Sequence, residues 1–419
     1  MNKKNLTLTL AACLLAAPAL LAQTTQDTLN YYKKQAAVKS DSRRTDRAFA
    51  SALAENVGAW LRVNPQDKAA KEALLLQYNL QNRADNYPAA LVSLLKIRFY
   101  YPSQTDISIL NTNVDAVMGE MDKKQKGRAL SALAVDTENM NRAEQEAALL
   151  EALVGVKSGK LYAVTAAEFE DFFVSNPKYA QNDKMELLYG DLHRQNGNYL
   201  AAISQYKKVA ELYAKTPYKA ASLRMVGDVY ADNLRDSETA TAIYTSVLRQ
   251  FPDSNEIGIV YKHMAIMDEN NKNYDSAVIN YNKAAELLAG QEPAYEALRG
   301  KADVYLKTKD YRSAFNTLEA AAEAFRADEP KYVDSMRKAA EVAQKRLKDG
   351  GLQTVTLEKI LLAYPKTQHA PEIMYELAYA YEKQGKGVQA ADVYKKLIVT
   401  YPTDSYANKA QGRLSRLEK

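Results

Sequence analysis

Asn196 to Tyr213 reads NGNYLAAISQYKKVAELY, and the phrase returns twice, as NKNYDSAVINYNKAAELL from Asn271 and TKDYRSAFNTLEAAAEAF from Thr308. In each copy an aromatic residue stands three positions before an alanine: Tyr199 before Ala202, Tyr274 before Ala277, Tyr311 before Ala314. A large residue follows that alanine at four positions (Tyr206, Tyr281, Leu318), and an apolar one at seven (Val209, Ala284, Ala321). Residues i, i+4 and i+7 share one face of a helix, so each phrase predicts an amphipathic helix with its alanine on the buried stripe.

Twelve residues before these alanines stand Gly190, Ala265 and Ala302, each inside another helix-period segment. Small residues at matched positions let two helices cross closely. The same arithmetic pairs Ala378 with Ala390, followed by Tyr394, Leu397 and Pro402. Ala240 heads a further copy with Tyr244, Val247 and Pro252, but Gly227 lies thirteen residues before it, which predicts one inserted residue in the turn near Asp232 to Ser237.

This pattern resembles the tetratricopeptide repeat, a unit of two antiparallel helices with small residues at their crossing, an aromatic residue on the second helix and proline at its end. The resemblance implies an all-α, right-handed superhelical solenoid of helix hairpins. Ala90, Ala202, Ala240, Ala277, Ala314 and Ala390 are separated by 112, 38, 37, 37 and 76 residues, whole multiples of a period near 37. The usual unit is about 34 residues.

Projecting that period predicts further second helices around residues 53, 128, 165 and 352, hence about ten hairpins across residues 30–419. The match is poorest from Thr112 to Lys160, which is read as an irregular patch in a continuous array. The expected organisation is a polar linker and the start of the first helix at 23–40, degenerate repeats at 41–178 and regular repeats at 179–419. In VYKKLIVTYPTDSYANKA, Val393 to Ala410, Pro402 ends one helix and Thr403, Asp404 or Ser405 caps the next. That last helix, 405–419, has Tyr406, Ala410, Leu414 and Leu417 on one stripe and is expected to cap the array.

Residues 1–22, MNKKNLTLTLAACLLAAPALLA, carry two lysines, an apolar run and a small residue before polar QTTQDT. This is the pattern of a secretory signal peptide cleaved after Ala22, and the apolar run is too short to span a bilayer. The alternative is a lipoprotein anchored at Cys13, in LAAC. Cleavage after Ala22 would leave 54 basic against 51 acidic residues and no cysteine, so the exported chain would be held by packing, without disulfides. Its densest basic cluster, DKKQKGR around Lys124, is too small for a nucleic-acid face, and no transmembrane segment is expected in the mature chain.

The histidines His193, His263 and His369 are scattered, and HExxH, GxSxG, P-loop and GxGxxG motifs are absent. No catalytic residue, metal site or cofactor is predicted. Most of the 29 tyrosines, Tyr206, Tyr244, Tyr281 and Tyr394 among them, occupy packing positions of the repeat. In this repeat class the first helix of each hairpin lines the concave groove. The resemblance therefore places Leu187 and Asp191, Arg224 and Asp228, Lys262 and Ile266, Arg299 and Asp303, Tyr375 and Tyr379 in a partner-binding groove.

Such a stripe suits an extended peptide or a helix. The plain alternative is that Arg224 with Asp228 and Arg299 with Asp303 are ordinary i, i+4 surface pairs. The repeat style, YP followed by a polar restart, resembles that of periplasmic proteins serving outer-membrane assembly and envelope coordination. The expectation is a non-catalytic scaffold of the Gram-negative periplasm that binds envelope proteins; the alternative is a glycan- or peptidoglycan-binding module, with Tyr375 and Tyr379 exposed.

Overall fold

A computed structural model describes residues 24–39 and 42–418. The expected signal peptide at residues 1–22, and Cys13 within it, lies outside them. The described residues form helices and turns with no strand among them, in two compact units divided between Tyr218 and Lys219. The boundary expected at 178/179 falls inside the first unit.

The first unit holds five hairpins. These are α1 (Thr25–Ala36) with α2 (Arg43–Val63), α3 (Ala70–Arg83) with α4 (Tyr87–Tyr100), α5 (Ile107–Met121) with α6 (Lys126–Ala132), α7 (Arg142–Val156) with α8 (Tyr162–Ser175), and α9 (Asn182–Gln195) with α10 (Tyr199–Leu212). The second unit holds five more: α11 (Lys219–Asp228) with α12 (Ser237–Gln250), α13 (Glu256–Asn270) with α14 (Tyr274–Leu287), α15 (Glu292–Lys307) with α16 (Tyr311–Ala324), α17 (Glu329–Val342) with α18 (Gly350–Ala363), and α19 (Ala370–Lys383) with α20 (Gly387–Thr400). Then α21 (Ser405–Leu417) packs on α20 and α19. The projected second helices at 53, 128, 165 and 352 are α2, α6, α8 and α18.

Helix ends follow local chemistry. Tyr364 and Tyr401 precede prolines, which push them out of the α region, and both end their helices with φ near −130°. Asp404 then caps α21, accepting from the Tyr406 N–H at 2.7 Å. The landmark residues Ala202, Ala240, Ala265, Ala277, Ala302, Ala314, Ala378 and Ala390 are all fully buried.

The extra residue before Ala240 is not in the connecting turn. Val229–Leu234 forms a π-turn that absorbs it at the end of α11, closed by Arg235 in the left-handed region. A second π-turn, Ala343–Leu347 followed by left-handed Lys348, ends α17 in the same way. An inserted residue stays helical here because widening one turn keeps backbone groups paired: Asp236 N–H reaches Tyr230 O at 2.9 Å, and Asp349 N–H reaches Ala343 O at 2.9 Å.

The irregular patch lies inside one core cluster running from Tyr78 to Leu161. There α6 has only 7 residues, and the chain from Leu133 to Thr137 replaces the missing helix turns. Buried Arg98 donates to the carbonyls of Leu133 at 2.9 Å and Val135 at 2.8 Å, and the Thr137 hydroxyl donates to Phe99 O at 2.8 Å. Side chains thus satisfy the backbone groups that a longer helix would have satisfied itself.

Candidate partner-binding face

In the second unit, first helices of successive hairpins lie beside one another, α11 by α13, α13 by α15, α19 by α21. Their facing side chains form a ladder of ion pairs. Arg224 Nε lies 2.6 Å from Glu256 of α13, Lys262 Nζ 2.6 Å from Glu296 of α15, and Arg299 Nη1 3.2 Å from Asp334 of α17. Asp303 takes Lys338 of α17 at 2.6 Å, Arg337 reaches Glu372 of α19 at 2.6 Å, and Arg413 of α21 reaches Glu382 at 2.6 Å.

Arg299 and Asp303 therefore do not pair with each other as an i, i+4 couple. Each reaches across to the next repeat, because a long basic arm spans two adjacent first helices with little bending. The bases lie along the surface with their charged ends tucked in, while several acids project. Lys262 and Arg299 side chains are 15% and 20% exposed, whereas Glu296 and Asp334 are 54% and 60% exposed. On a chain of formal charge +5, the accessible charge along this stretch is acidic.

Arg224 and Asp228 do pair, but out of the solvent. Asp228 is 1% exposed, and its Oδ1 accepts from Tyr244 Oη at 2.8 Å and lies 2.6 Å from His263 Nδ1. Burial by itself would raise this carboxyl; the bond with His263, the Arg224 charge and the Tyr244 hydroxyl outweigh it and hold Asp228 below the usual carboxylate range. Burial, then the Asp228 charge, pushes the Tyr244 phenol well above its ordinary value. Asp228 is thus enclosed by its own unit and does not face a partner. His263, read from the sequence only as one of three scattered histidines, joins this cluster through a contact with Asp228 that spans 35 positions.

At the other end, Tyr375 and Tyr379 of α19 stack with rings 6.4 Å apart and 2° from parallel. Tyr375 also meets Tyr406 at 5.6 Å, and the Arg413 guanidinium sits 4.7 Å over the Tyr379 ring. Both tyrosines are only half-buried despite these contacts. These two tyrosines line a cleft of about 770 Å³ together with Arg337, Lys338, His369 and Glu376.

In the first unit, Asp191 accepts from Tyr206 Oη at 2.6 Å, and Leu187 is buried. Lys184 of α9 pairs with Glu151 of α7 at 2.6 Å, another bridge between neighbouring first helices. A cleft of about 540 Å³ there is lined by Arg142, whose guanidinium lies 3.3 Å from the Tyr100 ring centre, and by Lys96 and Glu168, paired at 2.6 Å. Nothing in the sequence pointed to it, because its residues belong to the degenerate repeats. Among the described residues no group of histidine, cysteine or carboxylate side chains could hold a metal ion, and no helix is long and apolar enough to cross a membrane.

The tetratricopeptide-repeat pattern matches residues 187–216 and 372–404. No match was found among curated proteins. Among solved structures, the chain is similar to the C-terminal part of a TPR repeat-containing protein from Cytophaga hutchinsonii, with 16% identity over 62% of this chain and 97% of that one and a TM-score of 0.41. It is similar to a tetratricopeptide repeat protein from Parabacteroides merdae, at 15% identity over 66% and 98% with a TM-score of 0.32. It is also similar to the apo form of the quorum sensor NprR from B. thuringiensis, at 14% identity over 82% and 96% with a TM-score of 0.40. The two matched stretches contain Gly190 with Ala202 and Ala378 with Ala390, and the same small-residue crossing recurs in the hairpins between them, so the chain carries tetratricopeptide repeats within an array of helix hairpins.

Proposed function

We propose that this chain is a non-catalytic interaction scaffold of the bacterial cell envelope, exported by its N-terminal segment, that holds an extended protein partner along its first helices. The observation that carries the reading is the bridged face of the second unit. There Arg224, Lys262, Arg299 and Arg337 are engaged between repeats, which stiffens the face, while Glu296, Asp334 and the cleft beside Tyr379 are left accessible. Several weak contacts along such a face add up on one ligand, as in other repeat arrays.

Photo-crosslinking residues placed at Ile266, Glu296 and Asp334 in living cells test it, with the adducts identified by mass spectrometry. The expected result is a discrete envelope protein captured at adjacent positions. Capture of no protein, together with retention of the purified chain on cell-wall glycans, would replace this reading with the glycan-binding one. Cell fractionation and the N-terminal sequence of the mature protein test export: cleavage after Ala22 is expected, and a lipid label lost on Cys13→Ala would show an anchored lipoprotein instead.

A further inference from the structure

The cleft beside α19 is unbalanced in a specific way. Each of its lysine and arginine side chains is answered: Arg337 by Glu372, Lys338 by Asp303, and Lys345 by Glu341 at 2.8 Å. Asp334 is answered by Arg299. Glu376 is not; half-buried between Tyr375 and Tyr379 in sequence and lining the same cleft, its carboxylate has neither hydrogen bond nor ion pair among the described residues. Burial holds its carboxyl above the ordinary value, the Arg337 charge lowers it, and Glu372 and Glu341 add to the rise.

A desolvated carboxylate with no partner destabilises the free protein, and a cation that takes the vacant side would relieve that cost. The surroundings suit an organic cation on a flexible arm. Tyr375 and Tyr379 line the same cleft as Glu376, and aromatic faces attract ammonium and guanidinium groups. Asp334, 60% exposed, lines the same cleft, and Glu296, 54% exposed, projects from the adjacent first helix α15; their exposure favours a basic segment over an acidic one.

Resting on the scaffold reading above, we infer that the cleft between α17 and α19 receives a lysine or arginine side chain of a protein partner, with Glu376 as its counter-ion and the Tyr375–Tyr379 wall beside it. The occupant is a basic, extended peptide segment.

Panning a phage-displayed library of random dodecapeptides against the full-length protein tests this. The expected result is several-fold enrichment of peptides carrying Lys or Arg on the wild type, lost on Glu376→Gln and retained on Lys301→Gln, a control outside the cleft. Wild-type selection of peptides without basic residues, or basic enrichment unchanged in Glu376→Gln, would overturn the cation site and leave the scaffold standing. Selection of no peptide over bare matrix would overturn both. Folding is monitored independently by thermal melting, where Glu376→Gln raises Tm at pH 7 because it removes an unanswered charge; a lower Tm would show that Glu376 is answered within the free protein and overturn the inference.

Discussion

Hairpins α9/α10 and α11/α12 cross at glycine, whereas α13/α14 and α19/α20 cross at alanine, and the difference reseats the same tyrosine. In the glycine pair, Tyr206 and Tyr244 lie directly on the crossing; a Cβ on Gly190 would sit 2.4 Å from the Tyr206 ring, and one on Gly227 2.5 Å from Tyr244. Their hydroxyls then reach the carboxylate one residue beyond the glycine, Asp191 and Asp228. In the alanine pair the methyl blocks that seat. Tyr281 and Tyr394 bond instead to Glu269 at 2.7 Å and Glu382 at 3.2 Å, four residues beyond Ala265 and Ala378. The displaced Tyr281 ring leans on the next first helix, where a Cβ on Gly300 would meet it at 2.5 Å. The crossing residue and the anchoring acid thus change together: beside glycine the acid stands in the groove position, and beside alanine, where Ile266 and Tyr379 take that position, it stands one turn further along.

The largest way to break this comparison is at its most enclosed acid. Asp228→Ala leaves Arg224, His263 and Tyr244 facing a void and is expected to cost about 3 kcal/mol in urea denaturation of the full chain. Because the folded-state value of Asp228 is lowered, its contribution is present above the ordinary carboxylate value and is lost as pH falls through the folded one. Asp228→Asn should therefore show a shallower loss of stability on acidification below pH ~4; an unchanged acid limb would refute the pairing.

Next come the seats themselves. Gly190→Ala and Gly300→Ala are each expected to cost about 2 kcal/mol by pushing a tyrosine ring off its position. The reverse change, Ala265→Gly, should cost only about 1 kcal/mol, mainly through helix propensity. Adding Arg194→Glu to Gly190→Ala supplies an acid four residues beyond the crossing, as in the alanine repeats, and should recover part of the loss. No recovery in that double-mutant cycle would mean that the two tyrosine seats are set by more than the crossing residue.

The smallest effect lies in the turns between paired helices. Gly197 and Gly385 adopt φ of 79° and 75°, while Lys272 and Lys309 hold the equivalent place at 64°. Lys272→Gly should gain about 1 kcal/mol in denaturation midpoint analysis, since a side chain is strained in the left-handed region. A loss instead would show that the lysine side chain contributes more than its backbone strain removes.

Legibility followed the length scale of each interaction. Hairpins were readable because an aromatic residue, a small residue and a proline recur at fixed offsets within one unit, as Tyr199, Ala202 and the Ala390–Pro402 pair show. The π-turns were legible only as a count: thirteen residues between Gly227 and Ala240 revealed an insertion, but not that α11 would widen to hold it. The groove candidates lie on first helices, yet their bonds were not foreseeable. Arg299 had Asp303 at a spacing that favours pairing, and the structure gives each of them a partner 35 residues away.

By itself, then, the sequence determined that this chain is an array of helix pairs, that helices stop before prolines such as Pro402, and which residues lie at the crossings of the regular repeats. Those are consequences of backbone sterics and helical periodicity, which act over a few residues. Only the tertiary structure decided which charges are spoken for, because that depends on how neighbouring first helices line up across a whole repeat. It is this alignment that encloses Asp228, turns Lys262 and Arg299 inward, and leaves Glu376 without a partner of its own.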